Sequence, residues 1–185
     1  MNAKEARQLL ADSEVLFTTE EVNAGTSRIA QALNRDYADQ HPLILSVMGG
    51  AVVFSGQLLP QLNFPLDFDI VQASRYGDKT VGAQLKWRVA PQDNIVGRDV
   101  IILDDILDEG ITLAAIVDLV KRNGAKSVAC AVFCVKDYGD EINAKKPLKA
   151  EYVGIVVPNR FIYGYGMDVS GAWRNLPAIY AVKGK

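Results

Sequence analysis

The sequence predicts an α/β protein with a mainly parallel central sheet flanked by helices. Apolar runs of strand length alternate along the chain with stretches whose apolar residues recur at helical spacing. Those runs lack the polar alternation of a half-exposed strand, so helices must cover both faces of the sheet. The connections between them are short, as repeated strand–helix–strand units require.

Taken in order, Thr18-Thr19-Glu20-Glu21 has the form of a capping box, with Phe17 and Val22 placed as a hydrophobic staple. It opens a helix to about Tyr37, with Val22, Ile29 and Leu33 on one face. Leu43–Val47 is a short buried strand, Met48-Gly49-Gly50 a tight loop, and a helix to about Leu59 follows. Leu66–Ala73 is the next strand. Ser74–Gln84 is polar and contains Gly77 and Gly82, which predicts a mobile loop. Lys86–Val89 and Val100–Leu103 are strands. Leu113, Ile116, Val117 and Val120 mark a helix that stops near Asn123-Gly124. Ser127–Lys136 and Glu151–Val157 are strands, the second ended by Pro158-Asn159, and Ala178–Val182 is a final short strand. No internal repeat, low-complexity tract or second domain is visible.

The 185 residues suffice for one domain with a proper core. A net charge of −2 gives no electrostatic footprint for nucleic acid or an anionic membrane. No apolar run is long enough to span a bilayer, and the charged first twenty residues carry no signal-peptide core, so a cytoplasmic protein is expected. The two cysteines, Cys130 and Cys134, share one strand at a separation of roughly 13 Å, beyond disulfide reach, and read as packing residues. With His41 as the only histidine, a His–Cys zinc site or a Ser–His–Asp triad is not expected.

In such a sheet, ligands bind beyond the carboxyl ends of the strands. Met48-Gly49, Ser74, Asp104-Asp105 and Lys136 each fall at such an end. The richest stretch runs from Val100 to Thr112: a strand, the acidic pair Asp104-Asp105, then Asp108, Glu109, Gly110 and Thr112 in a short loop before a helix. Helix-start N–H groups bind phosphate. An acidic pair accepts ribose hydroxyls, faces a divalent cation or caps the next helix. A P-loop is ruled out because no Gly-x-x-x-x-Gly-Lys-Ser/Thr occurs. A dinucleotide fingerprint is ruled out because Gly164-Tyr165-Gly166 has Val at position 169.

The Val100–Thr112 stretch resembles the phosphoribosyl-pyrophosphate motif of type I phosphoribosyltransferases. Ser74-Arg75-Tyr76-Gly77, Val135-Lys136-Asp137, the segment Pro158 to Asp168 and Trp173-Arg174-Asn175-Leu176-Pro177 narrow the resemblance to the hypoxanthine-guanine phosphoribosyltransferase family. It runs from about Val15 to Val182. It implies the type I fold over 1–185, with a small hood formed by about 1–17 and 151–185. The implied reaction is purine salvage. A phosphoribosyl group passes from 5-phosphoribosyl 1-pyrophosphate to N9 of a 6-oxopurine, with Mg²⁺ as cofactor, in a homodimer or homotetramer.

The resemblance also implies roles. Asp104 and Asp105 bind the ribose hydroxyls directly or through metal. Asp108, Gly110 and Thr112 hold the 5′-phosphate with backbone help from Glu109 and Ile111, and Asp108 is the general base or acid at purine N7. Lys136 donates to O6, Phe161 stacks on the purine, and Ile162 meets its edge through backbone groups. Asp168 lies near purine C2 and helps place Mg²⁺. Met48, Gly49 and Arg174 take pyrophosphate, and Ser74, Arg75 and Tyr76 begin a lid. A cis peptide bond is implied at Val47–Met48. Met48 departs from the family, where Lys or Arg is common; backbone N–H groups, Arg75 or Lys79 are left to hold the pyrophosphate. Asp104 stands where Glu is commoner.

The chemistry agrees. Displacing pyrophosphate leaves an oxocarbenium-like centre and a highly charged leaving group, which calls for Mg²⁺ and cationic or N–H donors. The purine needs a base for its proton, and the site a cover against water. Taken singly, Lys136 also reads as a solvated strand end, Phe161 as core, Asp168 as a turn cap, Arg174 as a surface ion-pair partner, and Tyr163 and Tyr165 as packing. A non-catalytic sensor of the same ligand on the same fold is the competing class; it would carry a basic surface or an added DNA-binding helix pair, and neither is apparent.

Overall fold

The computed structural model describes residues 1–76, 84–91 and 93–184. The elements in chain order are α1 (Ala3–Ala11), β1 (Ser13–Phe17), α2 (Thr19–Asp36), β2 (Leu43–Val47), α3 (Val52–Leu58), β3 (Asp67–Tyr76) and β4 (Gln84–Val89). Then come β5 (Asp99–Leu107), α4 (Ile111–Arg122), β6 (Ser127–Asp137), α5 (Asp140–Asn143), β7 (Tyr152–Pro158), β8 (Ile162–Tyr163) and β9 (Ile179–Val182).

Six strands form the main sheet in the order β4-β3-β2-β5-β6-β7. Every neighbouring pair is parallel except β3 and β4, which make an antiparallel hairpin at one edge. The expected α/β sheet is therefore present. Its two faces carry separate apolar cores, as the unbroken apolar runs require. Ile44, Ile101, Leu103 and Phe133 pack with Val22, Ile29 and Leu33 of α2 and with Phe54 and Leu58 of α3. Leu43, Leu45, Val100, Ile102 and Val132 pack with Leu113, Ile116 and Val120 of α4. Odd and even positions of one strand thus serve opposite faces.

The α2 cap is the one expected. Thr18 Oγ1 accepts from the Glu21 N–H at 3.3 Å, and the Glu21 carboxylate accepts from the Thr18 N–H at 2.8 Å. At Gly25 the helix comes down on the sheet: a Cβ there would lie 3.2 Å from Ile155 and 3.3 Å from the Gly154 carbonyl. Helix α1 was not expected. It is capped by Asn2 and Glu5 in the same reciprocal fashion, a signal that stands in the sequence. No helix among the described residues is long and apolar enough to cross a membrane.

A second sheet of three strands, β1-β9-β8, lies apart from the first. Arg160 ties it together, pairing with Glu14 at 2.6 Å and donating to the Val182 carbonyl at 3.1 Å. Trp173 Nε1 donates to the Ala6 carbonyl at 2.8 Å and holds α1 to the later chain. The expected hood boundary at 151 is too early. Strand β7 pairs with β6 as the edge of the main sheet, because Tyr152 to Pro158 lie in parallel register with Ala131 to Asp137.

Candidate active site

Two strand ends are longer than the sequence indicates. The acidic pair was expected just past its strand, yet Asp104 and Asp105 lie within β5, which continues to Leu107. The reason is unequal neighbours. Pairing with β2 stops at Leu103–Ser46, while pairing with the longer β6 runs on to Leu107–Val135. One edge of β5 is thus left open to a ligand just where the carboxylates stand. Likewise Ser74, Arg75 and Tyr76, expected to begin a loop, are the last residues of β3, paired with Lys86, Leu85 and Gln84. Residues 77–83 of that expected loop, Lys79 among them, lie outside the described residues.

A cavity of about 250 Å³ opens over these strand ends. Its wall contains Met48 and Gly50 from the loop after β2, Asp104 and Asp105 from β5, Asp108, Glu109, Gly110 and Thr112 from the phosphate-type loop, and Arg174. Gly110 has φ +80°, a left-handed turn that suits glycine and delivers the chain into α4. The N-terminus of α4 faces the cavity, with its partial positive charge and outward N–H groups.

Asp104 is buried and Asp105 half-buried, and desolvation pushes both carboxyl groups up. Asp104 is raised well above the usual range, because the neighbouring Asp105 adds to its burial. Backbone N–H groups of Asp105 and Ile106 donate to them at 3.0 and 2.9 Å. Behind Asp105 the packing is tight. A Cβ on Gly50 would lie 1.9 Å from Asp105 Oδ2, and one on Gly166 would lie 2.0 Å from the Gly50 carbonyl. Sequence reasoning placed Gly49 in the site and gave Gly50 no role beyond the turn. A Cβ on Gly49 meets nothing within 4 Å, so its smallness serves no packing against the rest of the protein. The Met48–Gly49 peptide is cis, one residue later than the expected Val47–Met48.

Arg174 donates through Nη1 to the Gly166 carbonyl at 2.6 Å and through Nη2 to Asp168 at 2.5 Å. The other oxygen of Asp168 accepts from the Gly171 N–H at 2.6 Å, so this carboxylate is a turn cap and an ion-pair partner at once. Lys136 and Asp108 meet at 3.1 Å, and the Tyr138 hydroxyl donates to the second oxygen of Asp108. Lys136, from the end of β6, is therefore directed at the phosphate-type loop. Phe161 is 49 % exposed, which removes it from the core. Ile162, Tyr163 and Tyr165 are buried, and the Ile162 side chain belongs to the apolar cluster with α2. Gly49, Ile111, Lys136, Phe161, Ile162 and Asp168 are not in the cavity wall itself. Lys136 and Asp168 join it through Asp108 and Arg174.

The donors available to a cation are hard carboxylate oxygens. Among the described residues no three of them converge into a cage. Hard carboxylate oxygens are the donor type that Mg²⁺ takes, one or two at a time.

A carboxylate pair and a helix N-terminus at one strand-end cavity suit a phosphorylated sugar. A family model described as a phosphoribosyl transferase domain matches residues 13–170. The chain belongs to that family. Within it the chain falls among the hypoxanthine-guanine phosphoribosyltransferases. The Streptococcus thermophilus enzyme of that name is 36 % identical over 171 residues, covering 92 % of this chain and 93 % of that protein. The Bacillus subtilis enzyme is 33 % identical over the same shares. A crystal structure of a Bacillus anthracis hypoxanthine-guanine phosphoribosyltransferase has a TM-score of 0.84 at 30 % identity, covering 91 % of this chain and 98 % of that one. The bifunctional protein TilS/HprT of Listeria innocua is 36 % identical over 171 residues, but the chain spans only about 26 % of its length.

Proposed function

We propose that this protein carries out purine salvage, moving the phosphoribosyl group of 5-phosphoribosyl 1-pyrophosphate to N9 of hypoxanthine or guanine and releasing pyrophosphate. The observation that carries the reading is the contact of Lys136 with Asp108 at 3.1 Å beside the cavity. It supports the reading because an ammonium suited to a 6-oxo group and a carboxylate suited to a ring proton stand side by side.

In this reading the 5′-phosphate sits on the N-terminus of α4, held by Asp108, Gly110 and Thr112 with the Glu109 and Ile111 backbone. Asp104 and Asp105 receive the ribose hydroxyls. Asp108 takes the proton at purine N7 as the bond to C1 forms. Lys136 turns its ammonium to O6, Phe161 covers the base, Ile162 meets the base edge through its backbone, and Arg174 with the Met48–Gly49 loop receives pyrophosphate. Ser74, Arg75 and Tyr76 lead into a cover against water. Mg²⁺, held by Asp104, Asp105 or Asp168, would neutralise charge on the leaving pyrophosphate. Residues 1–185 are taken as one domain, acting in the cytoplasm as a homodimer or homotetramer, on the strength of the family likeness.

The test is conversion of hypoxanthine, guanine and adenine with phosphoribosyl pyrophosphate and Mg²⁺. Adenine offers an amino donor where the Lys136 ammonium needs an acceptor, so its kcat/KM should fall at least about 10³-fold below that of hypoxanthine. Comparable efficiencies would defeat the assignment of Lys136. No conversion of any of the three would defeat the reaction.

A further inference from the structure

We propose that Tyr138 is a positioning residue for Asp108, one that fixes the rotation of the carboxylate before the purine arrives. This rests on Asp108 being the base of the reaction above. The two carboxylate oxygens have different partners. Oδ1 accepts from the Tyr138 hydroxyl, and Oδ2 accepts from Lys136 Nζ at 3.1 Å. When Lys136 turns its ammonium to a 6-oxo group, only Oδ2 loses its donor. Oδ1 stays pinned, so the oxygen that becomes available is the one already facing the place of the base. Without the phenol, the carboxylate would be free to rotate at that moment, and productive orientations would become rarer.

The phenol is itself well held. Its backbone N–H donates to Asn143 Oδ1 at 3.2 Å, and the Asn143 amide donates to Asp137 at 2.6 Å, closing the turn between β6 and α5. Lys146 Nζ lies 5.3 Å from the Tyr138 ring centroid and donates to the Lys136 carbonyl at 2.5 Å. Lys136 Nζ lies 5.9 Å from the same centroid. Both ammonium groups therefore lie over the Tyr138 ring, while its hydroxyl holds the carboxylate. Burial, together with the Asp108 carboxylate, pushes the phenol well above its ordinary range, so it remains a donor throughout the neutral range. No residue pattern in the sequence singles out Tyr138; it is found only by following the strand end in space.

The experiment is a double-mutant cycle of Tyr138→Phe and Asp108→Asn, read as kcat and KM for both substrates, with thermal melts of each variant. Tyr138→Phe should lower kcat about tenfold, the worth of one hydrogen bond to a charged group, and leave both KM values within about twofold. Asp108→Asn should lower kcat by about 10²–10⁴. In the Asp108→Asn background, Tyr138→Phe should have no further effect, because there is no carboxylate left to orient. A tenfold loss that persists in that background, or no loss in the single variant, overturns the role of Tyr138 while leaving Asp108 in place. Full turnover in Asp108→Asn overturns the reading of Asp108 and the proposal built on it.

Discussion

Asp104 and Asp105 sit side by side in β5 with too little water around them for two charges. Folding therefore raises their proton affinity, Asp104 most. A folded state that binds more protons than the unfolded chain loses stability as pH rises from the ordinary carboxylate range through the raised value. Asp104→Asn, which carries no charge, should therefore stabilise the ligand-free protein at pH 7 by more than about 1 kcal/mol. That gain amounts to about 2–4 °C in Tm per kcal/mol. It should shrink as pH falls and vanish only below about pH 3, where the wild-type carboxyl is protonated in the folded and the unfolded chain alike. Melting curves from about pH 3 to 8 check this, and a Tm difference independent of pH would contradict it. The adjoining glycines separate packing from ligand contact. With 1.9 Å between a Gly50 Cβ and Asp105, Gly50→Ala should displace the carboxylate, costing about 1–3 kcal/mol and most of the turnover. Gly49→Ala should keep the wild-type Tm, since a Cβ there meets nothing. Any defect it shows should be confined to the KM for phosphoribosyl pyrophosphate.

Elements were readable from the sequence where periodicity and caps coincide. The α2 capping box, the α4 stripe and the buried strands β2 and β6 lie where the residues indicate. What sequence reasoning missed are features set by partners. How far β5 runs is decided by the length of β6, not by its own apolar run. The β3–β4 hairpin absorbs Ser74–Tyr76 because Gln84, Leu85 and Lys86 pair with them. Strand β1 has two exposed positions in its middle and no alternation to announce it. The joint between α2 and the segment that follows β8 is likewise invisible in sequence. Tyr165 Oη lies 2.7 Å from Thr26 Oγ1 and donates to Gln57 at 3.2 Å, with its ring 4.3 Å from that of Phe133. Tyr165→Phe keeps the ring and removes the buried hydroxyl. It should cost about 1 kcal/mol, roughly 2–4 °C in Tm, with kcat little changed. Denaturant unfolding measures it, and an unchanged midpoint would show that the hydroxyl pair adds nothing.

At the scale of the whole molecule, the reading of the two cysteines as packing residues agrees with the structure. Cys130 and Cys134 are free and buried. Burial pushes the Cys130 thiol up to about 12 and Cys134 well above its usual range. Little thiolate exists at neutral pH, and thiolate is the reactive form. An aromatic disulfide reagent at pH 8 should therefore label neither thiol in the native protein and both once denaturant unfolds the core. Rapid native labelling would mean that the sheet opens locally near β6. Of the expected site residues, Asp104, Asp105, Asp108, Gly110 and Thr112 share one short stretch and one cavity wall, so a motif alone points to them. Phe161, Asp168 and Arg174 are named only through the family resemblance, and of these Arg174 alone lines the cavity.

That second sheet is wired in an order unlike its order in the chain. Strand β9 is the middle strand, flanked by β1 and β8, yet it is the last of the three to be synthesised. During translation the parallel sheet and its carboxylate cavity can assemble while β1 and β8 still wait for a common neighbour. The acidic end of β5 is thus an early product of the ribosome, and the second sheet a late one. A released chain ending between residues 170 and 178 would keep every strand of the main sheet and lack β9, the strand that joins β1 to β8.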